Sequence, residues 1–114
     1  MGRTLIGDAG ETTSYAEKLS LTDAQALADL ALEELLRTFS SWRKRPKITV
    51  VYTGRLLQSL YGRLEPGGRT MTIHKLGENA GTVLHEVCHF DSRGHGARFK
   101  ELHAHLLQWW HSSP

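Results

Sequence analysis

The 114-residue sequence holds a single cysteine, Cys88. One thiol excludes an intrachain disulfide and any zinc ribbon built from cysteines. No apolar run approaches the roughly 18 residues that a membrane span needs. The first residues, Met1-Gly2-Arg3-Thr4-Leu5-Ile6, lack the apolar stretch of a secretory signal. Ile6 also stands where a myristoylation signal wants Ser or Thr. Net charge is small: 14 Lys+Arg against 12 Asp+Glu give +2, too mild to argue for nucleic acid on charge alone. Repeats and low-complexity tracts are missing, apart from the short Ser112-Ser113-Pro114 tail. The expectation is one soluble domain in a reducing, cytoplasmic setting, with no membrane partner. Hydrophobic residues, at 39%, suffice for one modest core.

Histidine is what the sequence has in excess. Six of its seven histidines lie between His85 and His111, so any account of function has to begin with the segments that carry them.

Residues 1–19 show no period and several Gly, Thr and Ser; they read as a loosely held arm. Thr22 is placed to N-cap a helix, with Gln25 completing a capping box. Leu27, Leu30, Ala31, Leu35 and Phe39 follow at helical spacing, which predicts a helix ending near Ser40 or Ser41. Pro46 disfavours a helix before it, so Arg43-Lys44-Arg45-Pro46-Lys47 reads as a basic linker. Its cations, beside Trp42, are read as solvated, with phosphate contact as the alternative.

Ile48-Thr49-Val50-Val51-Tyr52 is β-branched and predicts a strand. Leu57–Leu64 predicts a second. Glu65-Pro66-Gly67-Gly68 suits a type II turn into a third strand over Thr70–His74, giving a small, mostly antiparallel sheet. Beyond Gly77 the period becomes helical. Asn79 is a cap for a helix holding Val83, Leu84, Val87 and Cys88, and Gly94 suits the C′ position that ends it. A last helix is expected from about His95 to His111, with Phe99, Leu102, Leu106 and Trp109 as its buried stripe.

The second of these helices contains His85-Glu86-Val87-Cys88-His89, an H-E-x-x-H sequence. A random shuffle of this composition yields such a window in about 3% of chains, so its helical context matters. Histidines at i and i+4 share a helical face and can converge on one metal ion. Glu86 would stand beside that face, where a carboxylate can take a proton from water activated by zinc. Cys88 falls with the apolar face and reads as a small core residue.

A catalytic zinc site wants a third protein ligand. His95 follows His89 after Gly94, where the chain can turn back. On the last helix, about 100° per residue puts His95 within about 40° of Phe99, and so facing inward. Glu101 falls about 160° from Phe99, on the far side. His103 stays near the stripe but lies roughly 12 Å further along the axis. His103, His105 and His111 are therefore assigned to solvated helix faces.

Thr82–His89 followed by His95-Gly96-Ala97-Arg98-Phe99-Lys100 resembles the SprT-like metallopeptidases and the related YgjP-like minimal zincins. The likeness is strongest over residues 79–107 and looser over Tyr61-Gly62-Arg63 and Met71-Thr72-Ile73. It implies an α+β, minimal zincin-like fold: an N-terminal helix, the small sheet, the H-E-x-x-H helix and a C-terminal helix. Residues 20–111 would form that single metallopeptidase domain, behind the 1–19 arm. By the same likeness His85, His89 and His95 would bind one Zn2+ per chain and Glu86 would be the general base. Substrate would pair along the sheet edge, here residues 70–74. The His95 spacing also matches the metzincin interval, but Ser92 stands where that pattern needs Gly and no Met-turn follows.

Many SprT-like proteins act on protein crosslinked to DNA through an added zinc- or DNA-binding region, which this sequence does not supply. The expected function is a zinc-dependent endopeptidase acting on protein or peptide. Two alternatives stay open: a non-catalytic, metal-stabilised nucleic-acid-binding module, and a zinc hydrolase of a non-peptide substrate. Glu86 favours an enzyme, because a structural metal site has no use for a carboxylate beside its first ligand. Tyr52, Tyr61, His74 and Arg98 are the candidates for an oxyanion stabiliser.

Overall fold

The computed structural model describes residues 17–39, 47–55, 61–65, 69–90, 92 and 94–112. Helix α1 spans Leu21–Thr38, strand β1 Thr49–Tyr52, β2 Gly62–Leu64 and β3 Thr70–Ile73. A short 3-10 turn at Lys75–Gly77 leads into α2, Ala80–Cys88, and then α3, Ala97–His111. The class is α+β, and among the described residues no helix is long and apolar enough to cross a membrane.

α1 begins two residues earlier than expected. Ser20, not Thr22, is its N-cap: the Ser20 backbone is extended and its hydroxyl accepts from the Asp23 N–H at 3.1 Å. Gln25 is thereby free for another task. Its side-chain Nε2 donates to the Ile48 carbonyl at 2.7 Å, and its Oε1 accepts from the Val50 N–H at 2.8 Å. It thus ties α1 to the outer edge of β1. α1 ends at Thr38, with Phe39 as C-cap; Ser40, Ser41 and the linker residues Arg43, Lys44, Arg45 and Pro46 lie outside the described residues. Residues 1–16 of the expected arm lie outside them too, but its last residues are held: Lys18 bridges to Asn79 and Leu19 is buried.

The sheet is mixed rather than mostly antiparallel. Its order is β1-β3-β2, with β1 parallel and β2 antiparallel to β3. β3 is therefore the central strand, which corrects the expectation that residues 70–74 offer a free edge. β2 covers only Gly62–Leu64 of the longer strand expected there, residues 57–60 lying outside the described residues. The period-two alternation turns Val50, Met71, Ile73 and Leu64 towards the helices. Thr49, Val51 and Arg63 face out.

The core lies between that inner face and the three helices. Leu27, Ala31 and Leu35 of α1 meet Val83, Leu84 and Val87 of α2 and Leu102, Leu106 and Trp110 of α3. Each large side chain buried this fully stabilises the fold by about 1.5–3 kcal/mol. Trp110, not Trp109, completes the α3 stripe; Trp109 is half-buried at its border. Two glycines set the approach of β2 to its neighbours. A Cβ at Gly77 would collide with the Tyr61 main chain, and one at Gly62 would sit 2.8 Å from Thr82 Cγ2 on α2. Gly77 thus lets Tyr61 lie against the 3-10 turn, and Gly62 lets β2 lie close to α2.

Candidate metal centre

α2 starts as its sequence predicts, with the Asn79 carboxamide oxygen accepting from Thr82 N–H at 3.0 Å. Val83, Leu84, Val87 and Cys88 fill its core face. That leaves His85 and His89, one turn apart, on a half-buried flank with ring centroids 5.1 Å apart. The helix stops at Cys88 with His89 as C-cap, so Gly94 lies several residues beyond the end it was expected to make. The connection returns through Ser92 and Gly94 to His95, which precedes α3 rather than opening it; Gly96 is the α3 N-cap.

This return brings three imidazoles together. One nitrogen each of His85, His89 and His95 lies within 4.8 Å of the others, close enough to hold a metal ion. His85 Nε2 and His95 Nε2 are 3.2 Å apart. Two nitrogens bound tetrahedrally to one zinc at about 2.0–2.1 Å stand about 3.3 Å from each other, so this pair already has ligand spacing. The third ring is oriented by the main chain: His89 Nδ1 lies 2.7 Å from the Ser92 carbonyl oxygen. A carbonyl only accepts, so Nδ1 carries the proton and Nε2 keeps its lone pair. Burial pushes His85 down to about 4, helped by the nearby His89, His103 and His95. It is neutral at pH 7, the form a metal requires.

Glu86 is 8% exposed, on the side of α2 that faces β2. Its Oε1 accepts from the Leu64 N–H at 3.1 Å, and its Oε2 lies 3.9 Å from His85 Nε2. Burial raises its pKa to about 7, partly offset by the Leu64 hydrogen bond. His85, Glu86 and His89 of the sequence motif and the third histidine, His95, therefore form one cluster: a nitrogen triad with a buried carboxylate beside it.

Two further residues belong to this cluster. Phe99, 5% exposed, is the shared wall: its ring centroid lies 4.8 Å from those of His85 and His89 and 4.7 Å from that of His95. His103, expected to be a solvated helix residue, is instead half-buried and stacks on the same ring at 5.3 Å. Its centroid is 5.8 Å from that of His85, and its Nε2 is buried without a hydrogen-bond partner among the described residues. Burial, and then His95, lowers its pKa. Its position four residues after Phe99 was the available signal: the two share a face of α3.

His105, also expected to be solvated, is a tether. Its Nε2 lies 2.6 Å from Glu34 Oε2 on α1 and 3.2 Å from the Thr38 hydroxyl. Burial opposes the Glu34 charge, but hydrogen bonds from Arg37, His105 and Thr38 outweigh it and hold the carboxyl below its usual range. His111 is exposed, as expected. Cys88 is a core residue: its thiol donates to Leu84 O at 3.2 Å, and burial, with Glu86 nearby, pushes its pKa to about 12.

The oxyanion candidates are engaged elsewhere or lie at the surface. Tyr52 donates its hydroxyl to Leu19 O, His74 meets Thr53, and Arg98 pairs with Glu101. Tyr61 is exposed. Of the basic cluster only Lys47 is described, and it is exposed. No family model, curated protein or solved structure matches the chain, so the SprT-like resemblance rests on the residues themselves.

Proposed function

We propose that the chain is a zinc-dependent metallopeptidase of minimal zincin form, hydrolysing peptide bonds in protein or peptide substrates. The observation that carries this reading is the pairing of three convergent imidazoles with one buried carboxylate whose second oxygen lies on their side.

His85, His89 and His95 would hold the ion through Nε2, since Nδ1 of His89 is taken by Ser92 and the Nε2 atoms of the other two face each other. When bound, zinc lowers the pKa of a coordinated water to about 7 and polarises a carbonyl. Proton transfer falls to Glu86: Oε2 accepts the proton of the attacking water and returns it to the departing amine. Its position gives it both tasks, because a general acid–base group must lie within reach of the proton it moves and Oε2 is the oxygen on the side of His85. Phe99 excludes water from behind the triad and keeps its rings in register.

The test is a comparison of wild type with Glu86→Gln on an unfolded protein substrate, both loaded with zinc. Glu86→Gln should keep about one zinc per chain and lose hydrolysis. A Glu86→Gln protein as active as wild type would overturn the reading. Absence of hydrolysis by the wild type, with strongly salt-dependent DNA binding in its place, would support the nucleic-acid module instead.

A further inference from the structure

The general base of the proposed reaction leans on a main-chain group of the edge strand. In an antiparallel ladder, alternate residues turn their N–H and C=O towards the partner strand and away from it. Glu65 N–H donates to Thr70 O at 2.8 Å and His74 N–H to Tyr61 O at 2.9 Å. Residues 61, 63 and 65 therefore serve β3, while Gly62 and Leu64 turn their main-chain groups outward. β2 is an edge strand, and an outward N–H on an edge ordinarily meets water. That of Leu64 meets Glu86 Oε1 at 3.1 Å instead.

The approach is built into both elements. Thr82 and Glu86 stand one turn apart on the face of α2 that β2 covers. Gly62 lies close against Thr82, where a Cβ would come within 2.8 Å of the Thr82 methyl, and two residues further along β2 Leu64 reaches Glu86. Two strand residues and one helical turn advance by similar distances, about 6.8 and 5.4 Å. The same register thus pairs both contacts. With Oε1 fixed on β2, the carboxylate cannot turn freely, and Oε2 is left on the side of His85.

We propose that the main-chain N–H of Leu64 is a positioning group for Glu86, fixing one carboxylate oxygen so that the other faces the reacting water. This rests on the metallopeptidase reading. It also implies that the outer edge of β2 has no free donor at position 64 for pairing with a substrate strand.

The test replaces Leu64 by its α-hydroxy acid, which deletes one N–H and keeps the side chain. For zinc-loaded protein and an unfolded protein substrate, kcat should fall about 10- to 100-fold, the effect of one hydrogen bond to a charged group. KM and the zinc Kd should stay within about twofold. The same replacement at Arg63, which serves the β3 ladder, should lower the melting temperature with far less effect on kcat. Independently of activity, the Leu64 amide should be protected from hydrogen exchange, and Glu86→Ala should remove that protection while sparing Arg63. A Leu64 amide that exchanges freely, or is indifferent to Glu86→Ala, would overturn the proposal. So would wild-type kcat in the Leu64 ester when Glu86→Gln is inactive. Full activity of Glu86→Gln would instead overturn the metallopeptidase reading, leaving the exchange result to judge the hydrogen bond by itself.

Discussion

Replacing Phe99 by Leu should weaken zinc binding more than it weakens the fold. The Phe99 ring lies 4.7–4.8 Å from each of the three candidate ligands and 5.3 Å from His103. Aromatic pairs contribute about 0.5–1.5 kcal/mol each beyond the area they bury, so three ligand contacts set an upper bound of about 1.5–4.5 kcal/mol. These contacts exist without metal, so they favour zinc by holding the three rings in place beforehand; losing about 1–3 kcal/mol of that preorganisation raises the zinc Kd about 5- to 150-fold. The fold itself should lose about 1.5 kcal/mol or less, since Leu nearly conserves apolar volume. Competition with a chromophoric chelator gives the Kd, and denaturant unfolding of the metal-free protein gives the stability. A Phe99→Leu protein that unfolds more easily but binds zinc within twofold of wild type would show that the ring only fills space. Phe99→Ala is the less informative variant, because a cavity costing about 3–5 kcal/mol disturbs fold and site together.

His103→Leu should keep one zinc per chain and be as stable as wild type or more so, because it removes a buried nitrogen that lacks a partner; metal analysis and thermal melting check both. His95→Ala, by contrast, should lose tight zinc binding in the same metal analysis. Glu34 has a folded pKa below its usual 4.5. Its stabilising contribution is therefore complete above that pH and lost as pH falls through the lower, folded value; urea melts should show Glu34→Gln flattening the acid limb. Gln25→Ala should cost about 1–3 kcal/mol by leaving Val50 N–H and Ile48 C=O without their partner, measured by chemical denaturation.

Local features of this fold are legible in the sequence because short-range physics determines them. The Asn79 cap, the Leu27, Ala31 and Leu35 positions of the α1 stripe (Leu30, expected with them, is exposed) and the i, i+4 placement of His85 and His89 all follow from helical geometry. Even the Trp110 correction is local: eleven residues at about 100° bring it within about 20° of Phe99, whereas Trp109 lies about 80° away. Sheet order is different. Nothing within residues 70–73 says that β1 and β2 flank them on opposite sides, since that depends on pairing between distant segments. His103 escapes a local reading for a related reason. Its distance from His95 along α3 is long, but α2 carries His85 across the gap. The His105–Glu34 tether joins residues 71 apart in sequence and has no local signal.

X-ray absorption at the zinc edge of the metal-loaded protein tests the centre most directly. Three imidazole nitrogens at about 2.0–2.1 Å, with the fourth position held by oxygen, are predicted for the wild type, with imidazole scattering reduced in His95→Ala. A sulfur shell at about 2.3 Å, four imidazoles, or no bound zinc would contradict a centre built from His85, His89 and His95.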